Sequence, residues 1–327
     1  MPLPVDNHIA LWYNPGMELK EEILTRLYGG VASGEKLAAE LGVTRAAVWK
    51  AVNALKRDGF DIAASTNKGY RLRPSDVMCA AGVRHFLTEG WEVEVLRSAP
   101  STNDIAKARA AAGADRYAVI ADAQTAGRGR LRRAFFSPGG AGVYLSAVVR
   151  PALRADECGR ITAYAALAAA RAVEALTGAD VKIKWVNDLY LGGRKICGIL
   201  TEGGVSLEGG TLEYAVVGIG INVRRTVFPT AVADVATSIE AETGVAADRC
   251  ELAARVLDEL AGLEEGIKSP GFAEEYRRRS CVIGRTVTVN GEFDALVTGI
   301  DDDCALLLER CGERMKYSAG EVSLKLS

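Results

Sequence analysis

Gln124-Thr125-Ala126-Gly127-Arg128-Gly129-Arg130-Leu131-Arg132-Arg133-Ala134-Phe135-Phe136-Ser137-Pro138 follows a strand-like run, Ala118-Val119-Ile120-Ala121, and the rest of the chain can be ordered around it. Gly127 and Gly129 let the backbone approach a ligand closely, and Arg128, Arg130, Arg132 and Arg133 place four guanidinium groups within six residues. Such a loop can wrap a phosphorylated anion. A solvated surface loop or an unspecific polyanion patch has the same composition, so the company it keeps must decide.

Outward from the loop, strand and helix patterns alternate. Trp91 to Leu96 reads as a strand, and Ser101-Thr102-Asn103-Asp104 forms a capping region with exposed amides and hydroxyls before a helix over Ile105 to Ala112. Gly142 to Val149 is a strand and Arg160 to Leu176 an alanine-rich helix packing on the sheet. Val181 to Leu191, a Gly192-Gly193 turn and Arg194 to Glu202 make a hairpin, in which alternation puts Lys195, Cys197 and Ile199 on one face. An inward lysine is costly without an anion, although an edge-strand lysine facing water is the commoner case. In Tyr214 to Asn222, the glycines of Gly218-Ile219-Gly220-Ile221-Asn222 leave room for a flat ligand or for close backbone packing. Cys250 to Gly266 and Phe272 to Arg279 are helical.

The two ends differ from this centre. Residues 1–16 read as a flexible leader, followed from Glu18 by a helical pattern of Ile23, Leu24 and Leu27. Ser33 and Thr44 are N-cap residues on either side of a turn at Gly42, giving helix, turn, helix, with strands over Phe60 to Ala64 and Tyr70 to Arg73 around Ser65-Thr66-Asn67-Lys68-Gly69. Val48, Val52 and Leu55 face inward, which frees Thr44, Arg45, Trp49, Lys50, Asn53 and the turn's Lys68 for DNA. Between Arg45 and Arg73 seven Lys/Arg face two Asp, a local excess that a small three-helix interaction bundle would not require. After Gly284 only short strands remain (Thr286 to Val289, Glu292 to Ile300, Ala305 to Leu308, Val322 to Leu324), a small β-barrel. The expected fold is α+β and multidomain: leader 1–16, winged helix-turn-helix 17–75, linker 76–82, mixed α/β domain 83–279 and SH3-like barrel 280–327.

Composition removes several alternatives. At 327 residues and a net charge of −2 the chain exceeds one small core, and no global field draws it to nucleic acid or membrane. Seven scattered cysteines without a C-x-x-C pair indicate mostly buried, reduced thiols rather than a disulfide frame or zinc site. Two histidines give a triad or multi-histidine metal site little material. No apolar run reaches membrane length, and the start lacks a secretory pattern, so a cytoplasmic protein is expected.

Ser101-Thr102-Asn103, Gly127-Arg128-Gly129-Arg130 with Arg133, Lys184-Trp185-Val186-Asn187-Asp188, Arg194 to Leu200 and Gly218 to Asn222 occur in one order, and together they resemble the bifunctional biotin protein ligase and biotin operon repressor family over nearly the whole chain. The resemblance implies biotin and ATP with Mg²⁺ as reactants and cofactor, a biotinyl-5′-AMP intermediate, a biotin carboxyl carrier protein as acceptor, operator DNA as a second partner, and a homodimer when the adenylate is bound. It implies that Lys195, Arg130 and Asp188 are catalytic. Biotin would meet Ser101, Thr102, Asn103, Gln124, Arg128, Gly129, Arg130, Lys195 and Gly198; ATP and the adenylate would meet Gly127, Arg128, Arg130, Arg133, Phe135, Asn187, Lys195 and Asn222; Asn187 and Asp188 would hold Mg²⁺. Repulsion between biotin's carboxylate and the α-phosphate explains the need for cations. Arg132 stands where the family often has Gly, Phe135 where it has Trp, and Val186 where it has Pro. A lipoate-type ligase would share the sheet without the winged helix, and a sensor without catalysis could dispense with Lys195 or Asp188.

Overall fold

Residues 15–65, 68–205, 210–318 and 320–324 are described in a computed structural model, whose chain contacts separate Met1–Val77 from Met78–Ser327. Residues 1–14 of the expected leader, and 66 and 67 of the expected turn, lie outside the described residues.

In the first unit, α1 (Pro15–Tyr28) buries Ile23, Leu24 and Leu27, starting within the expected leader. α2 (Gly34–Glu40) and α3 (Arg45–Arg57) start where Ser33 accepts from Lys36 N and Thr44 from Ala47 N. Between them Gly42 adopts φ +64, a conformation glycine takes without the Cβ penalty. Val48, Ala51, Val52 and Leu55 form the inner face of α3. The wing is β1 (Ile62–Ser65) paired antiparallel with β2 (Gly69–Leu72). Gly69 is required here, because its φ is +80 and a Cβ would stand 2.4 Å from the Ala32 carbonyl oxygen.

The second unit begins with α4 (Ala80–Phe86), and Met78 and Ala81 are buried, so part of the expected linker is already core. A seven-stranded mixed sheet follows, built from β3 (Glu92–Leu96), β4 (Tyr117–Ala121), β5 (Gly142–Val149), β6 (Lys182–Lys184), β7 (Asp188–Leu191), β8 (Arg194–Val205) and β9 (Leu212–Asn222) in the order β3-β4-β5-β9-β8-β7-β6. β3 and β4 are parallel and all other pairs antiparallel. One face (Ala118, Ile120, Leu145, Ala147, Val217, Ile219) joins the main core with α6 (Cys158–Thr177) and α9 (Arg249–Ala261). On the other, α5 (Thr102–Ala111) packs Ala106 and Ala110 on Tyr117, Val119, Val148 and Val216. α5 covers only part of this face, and its N-terminus stands over Ser146 and Gly218.

Two expected elements are divided. Val181 to Leu191 breaks at Trp185, whose buried indole Nε1 donates to the Cys304 carbonyl at 2.8 Å. The helix expected over Cys250 to Gly266 stops at Gly262, with α7 (Thr230–Ala233) and α8 (Ile239–Thr243) before it and α10 (Leu263–Lys268) and α11 (Gly271–Arg279) after it. The Tyr164 ring fills the side of Gly266, where a Cβ would come within 2.1 Å of it.

The small C-terminal β unit is a five-stranded antiparallel sheet, β13-β12-β11-β10-β14, from β10 (Thr286–Val289), β11 (Phe293–Ile300), β12 (Leu306–Arg310), β13 (Glu313–Tyr317) and β14 (Val322–Leu324). β13 is additional to the strands read from sequence, where its alternating charged residues hid it. The apolar side chains of this sheet continue the core that starts at Met78, and Tyr276 donates its hydroxyl to the Val186 carbonyl at 2.9 Å. None of the cysteines is in a disulfide: Cys197, Cys250 and Cys304 are buried, Cys79, Cys158 and Cys281 half-buried, and Cys311 exposed.

Candidate functional site

The uncovered part of the α5 face is a cavity of about 380 Å³. Its floor comes from strand register: Ser146 opposes Gly218, which opposes Leu200, and Gly220 opposes Gly198. Side chains at these glycines would collide with what lies above them. A Cβ on Gly218 would be 2.0 Å from Asn103 Oδ1, and one on Gly220 2.5 Å from the Phe135 ring. The space expected for a flat ligand is therefore occupied by an amide and an aromatic ring of the protein itself.

Lys195 reaches this face because of a β-bulge. Tyr190 pairs with Lys195 and Leu189 with Cys197, leaving Ile196 as an extra residue that reverses the alternation. The expected common face of Lys195, Cys197 and Ile199 is thus incorrect. Lys195 lines the cavity with Gly198 and Asp188, whereas the Cys197 side chain is buried in the core.

Ser101, Thr102 and Asn103 are also not the exposed capping groups expected; they are 4%, 3% and 5% exposed and line the cavity. Ser101 is the α5 N-cap without a side-chain capping bond. Thr102 N and Oγ1 point to Gln124 Oε1 at 2.9 and 3.2 Å, and Gln124 Nε2 donates to Ser137 Oγ at 3.0 Å. Asn103 Oδ1 accepts from Ser146 Oγ at 2.6 Å, while its Nδ2 donates to Glu202 Oε2 at 2.8 Å.

The arginine loop folds back over the cavity. Gly129 N donates to the Arg133 carbonyl and Phe135 N to the Gly127 carbonyl, both at 2.8 Å, and a Cβ on Gly127 would lie 2.6 Å from Phe135 O. Arg128 pairs with Asp104 and Arg133 with Glu321. Arg130 donates to Asn187 Oδ1 at 3.1 Å and to the Gly320 carbonyl at 2.6 Å. Lys195 Nζ lies 2.7 Å from Asp188 Oδ1, an ion pair by distance that lacks hydrogen-bond geometry, since Oδ1 is buried without a hydrogen bond. Asn222 is 7% exposed and gives its Nδ2 to the Thr237 carbonyl.

Every residue expected to meet biotin or ATP lines this one cavity, except Gly127, which shapes the loop from behind. The side chain of Arg132 lies outside the described residues. Sequence reasoning missed Ser146 and Glu202 beneath the floor, Asp104 and Glu321 as partners of the arginines, and the apolar wall of Phe228, Val232 and Val235. The signal for Ser146 was a small polar side chain in an otherwise apolar and aromatic strand; for Glu202 it was the alternation Gly198, Leu200, Glu202 once the bulge is known. On the first unit, Arg45, Lys50 and Lys68 are exposed, Trp49 is 60% exposed and Asn53 half-buried, while the Thr44 hydroxyl is engaged in capping.

Residues 95–222 match the Biotin/lipoate A/B protein ligase family, residues 20–71 an HTH domain, and residues 282–325 the biotin protein ligase C-terminal domain. The chain is 33% identical over 315 residues to the bifunctional ligase/repressor BirA of Bacillus subtilis, covering 91% of this chain and 95% of that one. To the BirA of Escherichia coli it is 33% identical over 304 residues, covering 91% and 94%. Biotin protein ligase from Aquifex aeolicus, solved in complex with biotin and ATP, is 28% identical with a TM-score of 0.60, over 72% of this chain and 99% of that chain.

Proposed function

The chain belongs to the bifunctional ligase/repressor family of biotin protein ligases, and from that premise we propose that the cavity beside α5 binds biotin and ATP, forms biotinyl-5′-AMP and passes biotin to a carrier lysine. The protein is a biotin protein ligase with a helix-turn-helix repressor domain. The observation that carries the site assignment is a polar floor, with Ser101, Thr102 and Asn103 buried and Gln124 half-buried, beneath a mouth bearing Arg128, Arg130, Arg133 and Lys195.

The floor offers donors and acceptors for biotin's ureido ring. Biotin's carboxylate oxygen attacks the α-phosphorus, the bond to the β-phosphate oxygen breaks, and pyrophosphate leaves with the electron pair. Both reactants are anions, so Lys195 and Arg130 screen the charge that gathers in the transition state. Arg128 and Arg133 hold phosphate oxygens as the loop closes, which keeps water from the anhydride. A carrier lysine then attacks the acyl carbon and AMP departs. Asp188, beside Lys195, orients that amine. Asn222 and Phe135 contact adenine, the latter by stacking.

Mg²⁺ supplies charge neutralisation on the phosphates when bound. Asp188 Oδ1, buried without a hydrogen bond, and Asn187 Oδ1 are hard oxygen donors suited to it. Among the described residues no group of three His, Cys, Asp or Glu could hold a metal, so phosphate and water oxygens would complete the shell, the usual manner for Mg²⁺.

Incubation with biotin, MgATP and a carrier domain, followed by mass spectrometry, tests the assignment. The carrier should gain one biotinyl group, and no gain would overturn it. Operator DNA would meet α3 and the wing, where Arg45, Trp49, Lys50 and Lys68 are exposed. A homodimer formed with the adenylate would present two such helices to two half-sites.

A further inference from the structure

We propose that Glu202 is a positioning residue for biotin recognition: it fixes the orientation of the Asn103 amide on the cavity floor, and Lys107 fixes Glu202 in turn. The proposal rests on the reading that Asn103 meets biotin.

A side-chain amide presents a donor at one end and an acceptor at the other, and only its neighbours decide which is which. For Asn103 the neighbours are unambiguous. Glu202 Oε2 at 2.8 Å and the Leu200 carbonyl at 3.4 Å are both acceptors, so the NH₂ must face them. Oδ1 is then directed at the Ser146 hydroxyl, 2.6 Å away. A flipped amide would set its oxygen against a carboxylate and a carbonyl. Gly218 leaves no freedom below, since even a Cβ there would stand 2.0 Å from Oδ1.

Glu202 is itself held. Its other oxygen accepts from Lys107 Nζ at 2.8 Å, and Lys107 lies one turn after Asn103 on the same face of α5. Lys107 also reaches Asp104 at 3.2 Å, and Asp104 pairs with Arg128 of the loop. Burial would raise the Glu202 carboxyl above its ordinary range, yet the hydrogen bonds from Lys107 and Asn103 outweigh this and lower it, keeping it an acceptor. Without that carboxylate the Asn103 amide can turn over, and the floor no longer presents a single polarity. Sites that recognise a ligand by buried hydrogen bonds lose affinity steeply when a partner is misdirected.

The test is calorimetry of biotin and of ATP, separately, on the full chain, with adenylation rates alongside. Glu202→Gln should raise the biotin Kd by on the order of tenfold, the weight of a charge-assisted hydrogen bond. The ATP Kd and kcat at saturating biotin should stay within about twofold, because ground-state binding of one ligand is what is lost. Lys107→Met, half-buried one turn along α5 from Asn103, should weaken biotin in the same selective way, and Lys107→Arg should restore it. That second pair keeps the proposal testable should Glu202→Gln fold poorly. Unchanged biotin affinity in the Glu202 variant, or equal losses for both ligands and kcat, would overturn the proposal. If Asn103→Ala weakens biotin and Glu202→Gln does not, only this inference falls. If neither matters, the site assignment falls with it.

Discussion

Replacing Lys195 with Ala removes the cation that the bulge at Ile196 delivers to the cavity. Lys195 Nζ and Asp188 Oδ1 are 2.7 Å apart with side chains 29% and 18% exposed, between a surface pair and a buried one. The stability cost of leaving Asp188 unpaired is therefore set at about 1 to 2 kcal/mol, above the near-zero worth of exposed pairs and below that of fully buried ones. For a unit of this size that corresponds to a Tm fall of no more than about 8 °C. The chemical cost is larger. A preorganised charge aimed at the developing transition state is worth about 100- to 1000-fold, or roughly 2.7 to 4 kcal/mol. Pyrophosphate release with biotin and MgATP should fall by that factor while circular dichroism and carrier binding remain. Lys195→Arg should recover part of the loss, since charge returns without the compact ammonium geometry. Adenylation within about tenfold of the parent, short of that range, would remove Lys195 from the mechanism and reduce it to a partner of Asp188.

Arg130→Ala should shorten the residence time of the adenylate, read as labelling of bystander lysines, because the loop loses both its Asn187 and Gly320 contacts; unaltered residence would make the loop a surface feature. Gly220→Val should raise the KM for ATP more than that for biotin, as its Cβ meets the Phe135 ring at 2.5 Å; a proportional change in both would contradict the placement of adenine. Arg45→Ala with Lys50→Ala should weaken operator binding and reduce the slope of log affinity against log salt by roughly 0.9 per lost phosphate contact, with ligase rates unchanged. Glu275→Gln should remove stability that is present at neutral pH: burial raises its carboxyl, but hydrogen bonds from Arg171 and Arg279 outweigh that and hold it below the ordinary 4.5. A folded-state value below the unfolded one contributes stability above the ordinary range and loses it as pH falls through the folded value. Urea midpoints of parent and variant should thus differ at neutral pH and converge as pH falls below the ordinary 4.5 and through the folded value; a constant gap would refute the ionic contribution.

The features legible in the sequence are those carried by local signals. Thr44 before an apolar stripe, Gly42 in the turn and the short, mostly apolar run of Gly142 to Val149 each need only a few neighbouring residues, and each is found where local chemistry puts it. The misread features depend on distant partners. Ile196 is a bulge only because of how β7 pairs, which inverted the face assigned to Lys195. Ser101 to Asn103 look like solvent-facing caps until α5 is laid against β5 and β9, and the break at Trp185 is fixed by Cys304, 119 residues on. Glu321 and the Gly320 carbonyl, which engage Arg133 and Arg130, carry no signature of their own.

Those last contacts bear on how the arginine loop works. Arg128, Arg130, Arg133 and Lys195 each already have a protein partner: Asp104, Asn187 with Gly320, Glu321 and Asp188. A phosphate entering the cavity does not meet bare cations but exchanges with carboxylates and carbonyls, so its affinity reflects the difference between two sets of ion pairs rather than the sum of one. Two of these partner groups, Gly320 and Glu321, lie in the connection from β13 to β14 of the C-terminal unit. If the loop closes over the adenylate as proposed, it exchanges these contacts for phosphate, and substitutions at Glu321 should alter adenylate retention, read as labelling of bystander lysines, without changing biotin affinity.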